Sequence, residues 1–157
     1  ALADLGRRGD ALIALAEADS QIGYDDFLVY WRARLMFDEG RNSDALSQIE
    51  RTEAAGEADY YDYLLKARIG LELEDVEVAR SGIDKALSLR PKNRWALYYQ
   101  SLVLVIEGRF DEAETAFDDA IAAGLNKDKL SDFLSVLIGR KEMARAIMMR
   151  ARYALFE

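Results

Sequence analysis

Apolar residues recur at helical spacing along most of this chain, and they fall into two alternating sets of segments. The first set covers residues 26–39, 60–73 and 93–107, and each segment ends near one shared column, Gly40, Glu74 or Gly108. The second set covers residues 42–55, 76–90 and 110–123. Apolar residues three and four positions apart form one face of an α-helix. The pattern therefore predicts an all-α chain of helix pairs, each pair joined by a tight turn.

The helix pairs repeat with a period of 34 residues. The second helices share an alanine followed four residues later by a large apolar residue, at Ala11/Leu15, Ala45/Ile49, Ala79/Ile83, Ala113/Phe117 and, after a spacing of 31, Ala144/Met148. Two more columns hold small residues, at Ala33/Ala67/Ser101 and at Ala18/Thr52/Ala86/Ala120. Small residues at fixed positions allow two helices to approach closely. We therefore expect these columns to lie at the contacts between helices.

This period, the alanine column and Pro91 between two pairs resemble the tetratricopeptide repeat, a helix–turn–helix unit. The first helices differ from the family pattern, with Arg32, Lys66 and Gln100 in the leucine column and Val29, Tyr63 and Leu97 in the tryptophan column. The resemblance covers essentially the whole chain. It implies a right-handed superhelical solenoid of antiparallel helix pairs.

The resulting organisation is a single repeat domain over residues 1–157. It comprises a partial repeat at 1–25, full repeats at 26–59, 60–93 and 94–127, and a shorter terminal repeat at 128–157. Asp59 and Asn93 occupy equivalent positions and are predicted N-caps. The predicted last helix, 141–156, carries apolar residues that need cover, and we expect the chain to be cut from a longer array at both ends.

The composition narrows the possible chemistry. The chain has a net charge of −8 and contains no cysteine and no histidine, which excludes a disulfide scaffold, a thiolate nucleophile and a Cys/His zinc site. The acidic balance argues against a nucleic-acid binder, although residues 127–157 carry 7 basic and 4 acidic side chains. No apolar run is long enough to predict a membrane span. The chain begins at Ala1 without a visible signal peptide, so both a periplasmic and a cytoplasmic location stay open.

Pairs of acidic residues are the strongest candidates for catalysis. They stand at Asp25/Asp26, Glu74/Asp75, Asp111/Glu112 and Asp118/Asp119. These positions are turns and helix starts, where a carboxylate favours the helix dipole, so we interpret them as structural. The chain has no glycine-rich phosphate loop and no calcium loop. The sequence predicts no enzyme, no catalytic residue, no cofactor and no metal site.

The resemblance further implies that certain columns of the first helices line a concave groove. Those columns hold Phe27, Tyr30, Arg34 and Phe37, then Tyr61, Leu64, Arg68 and Leu71, then Trp95, Tyr98, Leu102 and Val105. Tyrosine, tryptophan and arginine dominate binding hot spots. We predict that Tyr30, Tyr61 and Tyr98 are exposed there, whereas Trp31 and Tyr63 fill space between helices. Arg34 and Arg68 either pair with Asp38, Glu72 or Asp62, or hold acidic groups of a partner.

Three functions are compatible with these features. The first is a non-enzymatic scaffold that binds a partner protein or peptide in the groove; the resemblance to bacterial repeats implies a larger assembly such as secretion or exopolysaccharide export machinery. The second is a module that self-associates through uncapped repeat ends. The third is a set of helices that accompanies a distant catalytic domain. The lysine and asparagine clamp by which some members hold heat-shock chaperones is missing from these columns. The scaffold is our prediction.

Overall fold

A computed structural model describes residues 26–154 together with residues 7, 9–11, 13–15 and 17. Eight consecutive helices cover residues 26–154: α1 (Asp26–Asp38), α2 (Asn42–Ala55), α3 (Tyr60–Glu72), α4 (Val76–Leu89), α5 (Arg94–Ile106), α6 (Phe110–Ala122), α7 (Lys129–Gly139) and α8 (Met143–Ala154). No strand occurs in this described part of the chain. The prediction of an all-α helical repeat is confirmed. Most of the partial repeat predicted at 1–25 lies outside the described residues.

Side-chain caps fix where several of these helices begin. The Asp59 carboxylate accepts hydrogen bonds from the backbone N–H of Tyr61, at 2.6 Å, and of Asp62. Asp62 in turn accepts one from the N–H of Asp59, which completes a capping box. Asn93 caps α5 by accepting from the N–H groups of Trp95 and Ala96. Both predicted N-caps are therefore confirmed.

The chain divides into two compact units, Ala1–Leu89 and Arg90–Glu157, which we call unit 1 and unit 2. The buried cluster of unit 1 contains Ala33, Ala45, Ile49, Leu65 and Ile69. The cluster of unit 2 surrounds the stacked rings of Phe117 and Phe133, whose centroids lie 4.5 Å apart. In both units the predicted small residues of α1 to α6 are buried. The columns therefore mark helix contacts, as predicted.

The last repeat departs from the predicted alignment. Ala144 and Met148 were expected to continue the alanine column, but both are exposed, Met148 to 72%. Ala146 and Met149 are buried instead. The turn before α8 explains the difference, because its residue of positive φ is Lys141, which lies 33 positions after Gly108. The period thus shortens by one residue, and the match at a spacing of 31 is wrong.

One backbone position of the inter-helix turn requires positive φ in every described repeat. Gly40 and Gly108 adopt φ values of 77° and 76° there, and Glu74 adopts 56°. The left-handed region costs a residue with a Cβ roughly 1–2 kcal/mol, whereas glycine enters it freely. Glu74 is therefore locally strained, as is Lys141 at 66° in the last turn, and the same requirement explains the glycines at positions 40 and 108.

We expect Glu74→Gly to raise the free energy of unfolding by about 0.5–1 kcal/mol, since the relief of strain exceeds the extra entropy that glycine brings to the unfolded chain. Urea denaturation followed by circular dichroism measures it. Glu50→Gly is the matched control, because Glu50 is exposed inside α2, where glycine should cost about 1 kcal/mol. A loss of stability in both variants would contradict the proposed strain at Glu74.

The backbones of α3 and α4 touch in unit 1. A Cβ added to Gly82 would lie 2.6 Å from the carbonyl oxygen of Tyr63 and 2.6 Å from the backbone nitrogen of Ala67. A Cβ on Gly70 would lie 2.3 Å from the backbone nitrogen of Ala79. Contacts this short cannot be accommodated by turning a side chain, because backbone atoms make them. Two glycines therefore set the distance between these helices.

A buried ion pair joins α2 to α3 in the same unit. Lys66 stands in the leucine column of the repeat and is buried, with its Nζ 2.5 Å from a carboxylate oxygen of Glu53. A buried ammonium needs such a partner, because leaving the charge uncompensated costs several kcal/mol. The departure from the family pattern at Lys66 is thus compensated by Glu53.

Candidate partner-binding surfaces

The first helices of unit 1 carry a continuous line of aromatic rings. The centroid of Tyr30 lies 5.6 Å from that of Trp31 and 6.3 Å from that of Tyr61, which lies 5.2 Å from Tyr60. All three contacts are edge-to-face, the favourable arrangement for aromatic pairs. Trp31 is 43% exposed and Tyr61 is 49% exposed. We call Tyr30, Trp31, Tyr60 and Tyr61 the aromatic row.

Two guanidinium groups lie beside this row. Arg34 donates through Nε to both carboxylate oxygens of Asp38, at 3.2 and 3.1 Å, and its charge also acts on the Tyr30 hydroxyl. Burial raises the pKa of Tyr30 above its ordinary value, while the charges of Arg34 and Arg68 oppose that rise. Both arginines are thus close enough to Tyr30 to act on the same hydroxyl.

Arg68 differs from Arg34 in the groups that contact its guanidinium. Its guanidinium carbon lies 4.7 Å from the ring centroid of Phe37, a cation–π contact. The structure shows no ion pair between Arg68 and the residues that it describes, whereas Arg34 forms the predicted pair with Asp38. Arg68 is half-buried, so its position is fixed while part of its charge still faces solvent.

The other predicted groove residues of unit 1 have mixed positions. Phe37 packs against the core cluster, and Leu64 and Leu71 are half-buried. The side chain of Phe27 lies outside the described residues. The prediction that Trp31 fills space between helices is wrong, because its ring is substantially exposed and extends the aromatic row. Sequence comparison missed it because the column next to it was assigned to the groove.

In unit 2, the prediction that Tyr98 is exposed is also wrong. Tyr98 is only 5% exposed, because its ring packs edge-to-face against Phe117, with the centroids 6.2 Å apart. This burial raises the pKa of its hydroxyl well above the ordinary value. Val105 is also buried, and Trp95 and Leu102 are half-buried against the same cluster. These columns of unit 2 therefore build core more than they build surface.

A concave surface lies between α7 and α8, and the sequence pattern did not predict it. It encloses about 680 Å³ and is lined mainly by apolar side chains from both helices. We call it the α7–α8 groove; it is lined by Lys127, Asp128, Leu130, Ser131, Leu134, Ser135, Ile138, Met143, Ala146, Ile147 and Arg150. The apolar residues of the last predicted helix indicated a surface that needs cover. The wrong alignment of that helix concealed which residues of α7 lie opposite them.

Neither surface contains a cluster of metal-binding side chains among the described residues. Among the residues that the structure describes, no group of three or more histidine, cysteine or acidic side chains could hold a metal ion. The acidic pairs have structural contacts: Asp75 accepts from the N–H of Val78, Glu112 pairs with Arg109, and Asp111 with Arg145. In the same described part, every helix is too short or too polar to cross a bilayer.

Solved structures of tetratricopeptide-repeat proteins are similar to this chain. A thermophilic TPR protein from Thermus thermophilus shares 21% identity at a TM-score of 0.72, over 98% of this chain and 92% of that protein. A tetratricopeptide repeat protein from Parabacteroides merdae shares 19% identity at a TM-score of 0.78, over 92% of this chain and 57% of that one. The chain has the tetratricopeptide-repeat fold.

The chain shares this fold with proteins that differ from it widely in sequence. No protein-family model matches the sequence, and no curated protein matches it significantly. At 19% and 21% identity, the two tetratricopeptide-repeat structures show how the chain folds and leave its partners open.

Proposed function

We propose that this tetratricopeptide-repeat chain is a non-enzymatic scaffold that binds a segment of a partner protein on the aromatic row of unit 1. The observation that supports the proposal most directly is the edge-to-face packing of the exposed Trp31 and Tyr61 rings on the half-buried Tyr30, with Arg34 and Arg68 beside it. Tyrosine and tryptophan offer a large contact area at a low cost in side-chain entropy, and arginine adds directed hydrogen bonds.

The two arginines suggest the chemistry of the bound segment. Arg34 already shares its Nε with Asp38, whereas Arg68 is held against Phe37 with no ion pair among the described residues. A carboxylate of the partner can therefore bind Arg68 in a planar, two-point contact. The rings of Trp31 and Tyr61 would then cover apolar side chains next to that acid. We infer a partner segment with an acidic residue flanked by apolar ones.

This proposal predicts the effects of two substitutions. Tyr61→Ala should weaken binding about tenfold or more, as truncation of a hot-spot aromatic does. Arg68→Glu should weaken it further and remove the preference for acidic segments, because it replaces attraction by repulsion. The probe is a fluorescent peptide selected from a random display library on the wild-type chain, and its affinity is measured by fluorescence anisotropy.

Arg51→Glu is the matched control for this experiment. Arg51 is an exposed arginine on α2, a second helix, so the same change of charge occurs away from the aromatic row. It should leave peptide affinity within about twofold, provided that circular dichroism shows all variants folded. Equal losses in Arg51→Glu and Arg68→Glu would mean that the peptide responds to net charge and not to the row.

The resemblance to bacterial repeats extends this proposal to a larger assembly, such as secretion or exopolysaccharide export machinery. Its support is the sequence pattern of the repeats. Affinity purification from the source organism tests it directly. Assembly components that are recovered with the wild type and lost with Arg68→Glu would support the extension; recovery with both variants would place their contact elsewhere.

A further inference from the structure

The α7–α8 groove of unit 2 is an apolar surface that the aromatic row does not explain. Leu130, Leu134 and Ile138 follow one another at four-residue steps on α7. Met143 and Ile147 face them from α8, and Ile147 is 62% exposed. Apolar side chains this exposed, on two adjacent helices and around one cavity, are typical of an interaction site.

The shape of this groove favours a helix as its occupant. Residues at four-residue steps form a ridge along a helix, and such ridges pack into the grooves of a neighbouring helix. The ridge on α7 runs from Leu130 to Ile138, so it is about 12 Å long at the usual helical rise. That length matches about two turns of an amphipathic helix, which binds such grooves through residues at steps of three and four.

The charges around the groove favour an acidic occupant. Lys127 and Arg150 line it, while Arg140 and Lys141 lie in the turn that joins its two helices. The structure gives Arg140, Lys141 and Arg150 no ion pair with any residue that it describes. Asp128 is the acid among the described lining residues, and its carboxylate accepts a hydrogen bond from Asn126. The rim of the groove is therefore basic.

The nearby acids do not reverse this balance. Asp132 on α7 pairs with Lys129 at 2.7 Å, and Glu142 pairs with Arg145 at 3.2 Å. Arg145 is bound in addition by Asp111 and Glu114 of α6. The charge of Asp132 is thus matched by Lys129, and Glu142, Asp111 and Glu114 share the charge of Arg145. Arg140, Lys141 and Arg150 have no ion pair with a described residue and can meet the charge of a ligand.

We propose that the α7–α8 groove binds an amphipathic helix of a partner protein whose apolar face is flanked by acidic residues. The apolar face would cover Leu134, Ile138 and Ile147, and its acids would meet Arg150 at one end and Arg140 at the other. This is a second binding site, located in unit 2 and separate from the aromatic row of unit 1.

Two synthetic peptides test this proposal. Both are fluorescent 18-residue helices (a length of about five turns) with the same leucine face; one carries glutamate and the other lysine at every polar position. Anisotropy titrations of the wild-type chain should show binding of the acidic peptide, with the basic peptide at least tenfold weaker. Equal binding of both peptides would overturn the proposal, because the groove would then be a non-selective apolar patch.

Substitutions in α8 locate the site. Ile147→Asp should weaken the acidic peptide at least tenfold, because it places a charge inside the groove. Met148→Asp is the matched control, since Met148 is 72% exposed on the same helix but does not line the groove. It should leave the affinity within about twofold. Equal losses in both variants would overturn the placement in the groove.

Charge reversal tests the choice of an acidic partner. Arg150→Glu should weaken the acidic peptide and strengthen the basic one, whereas Arg68→Glu in unit 1 should change neither, so the two proposed sites can fail independently. Sedimentation velocity tests the competing occupant, a second copy of this chain. A wild-type dimer that Ile147→Asp dissociates and Met148→Asp preserves would overturn the assignment to a different protein. A monomer in all three forms supports it.

Discussion

Replacing Gly82 with alanine should lower the free energy of unfolding of unit 1 by about 2–3 kcal/mol, the usual cost of forcing extra atoms into a packed contact. A glycine-to-alanine substitution inside a helix normally raises the free energy of unfolding, because alanine is favoured there over glycine by about 1 kcal/mol. At Gly82 we expect the opposite. The added methyl would lie 2.6 Å from the Tyr63 carbonyl oxygen and 3.1 Å from the Ala67 Cα. α3 and α4 must separate to admit it, which opens the contacts on both sides.

Gly139→Ala is the matched control for this prediction. Gly139 is the last residue of α7, and a Cβ built there meets nothing within 4 Å. The same substitution should therefore be neutral or stabilise the chain by up to about 1 kcal/mol. Gly70→Ala provides a repeat of the main test, because its Cβ would lie 2.3 Å from the Ala79 backbone nitrogen.

The chain offers a separate fluorescent reporter for each unit. Its two tryptophans are Trp31 in unit 1 and Trp95 in unit 2, so Trp95→Phe leaves Trp31 as the single reporter of the unit that contains Gly82. Urea denaturation in this background should show the midpoint falling in Gly82→Ala. Gly139 lies in unit 2, so its control variant is read from Trp95 in a Trp31→Phe background. A Gly82→Ala midpoint that stays level or rises would mean that the α3 and α4 backbones lie farther apart than the structure shows.

The sequence predicts much of this fold because the repeats can be compared with one another. Ala45, Ala79 and Ala113 align at one period, and all three are buried at helix contacts. The same comparison fails for Gly70 and Gly82. Their columns hold larger residues in the neighbouring repeats, so the period gives no warning of the close approach. Helix propensity does indicate the close approach. Two glycines inside helices lower the stability of those helices, so they need a packing reason to be there.

The candidate surfaces were harder to predict because exposure depends on the volume of residues in other helices. Tyr30 and Tyr98 stand in the same column, but Tyr98 is covered by Phe117, where the equivalent residue of the first full repeat is Ile49. Trp31 shows the opposite error, since a ring assigned to the interior is exposed. A column fixes the direction of a side chain along one helix. It does not fix what packs against it.

The missed α7–α8 groove has a different cause, a shift in register. Aligning Ala144 with Ala113 placed Met148 at the helix contact. With that register, the apolar residues of α7 had no apolar residues opposite them on α8. The true turn at Lys141 moves the buried positions to Ala146 and Met149. The other repeats set a period of 34 residues, and that period cannot reveal a shorter turn before the last helix. The positive φ of Lys141 in the structure shows where this turn lies and corrects the alignment.

Phe117→Ala should lower the free energy of unfolding of unit 2 by about 3–5 kcal/mol, the range for deleting a buried phenylalanine. Phe117 is fully buried and contacts aromatic rings from three other helices: Tyr98 on α5, Phe133 on α7 and Tyr153 on α8. The expected fall in unfolding free energy therefore has two parts: the lost burial of one large apolar side chain and the cavity that it leaves between four helices. Such a cavity closes poorly, because each wall belongs to a different helix.

Phe117→Ile separates the volume of this side chain from its ring contacts. Isoleucine occupies the same column at Ile49 and Ile83, so the repeat accepts its shape, but it cannot stack on Phe133 at 4.5 Å. We expect a loss of about 1–2 kcal/mol, from a smaller cavity and the missing aromatic pairs. Both variants are measured in a Trp31→Phe background, where Trp95 of unit 2 is the single reporter. Equal losses of unfolding free energy in Phe117→Ala and Phe117→Ile would contradict this prediction. They would mean that the core of unit 2 closes around the deleted ring, so that Phe117 does not hold its four helices together.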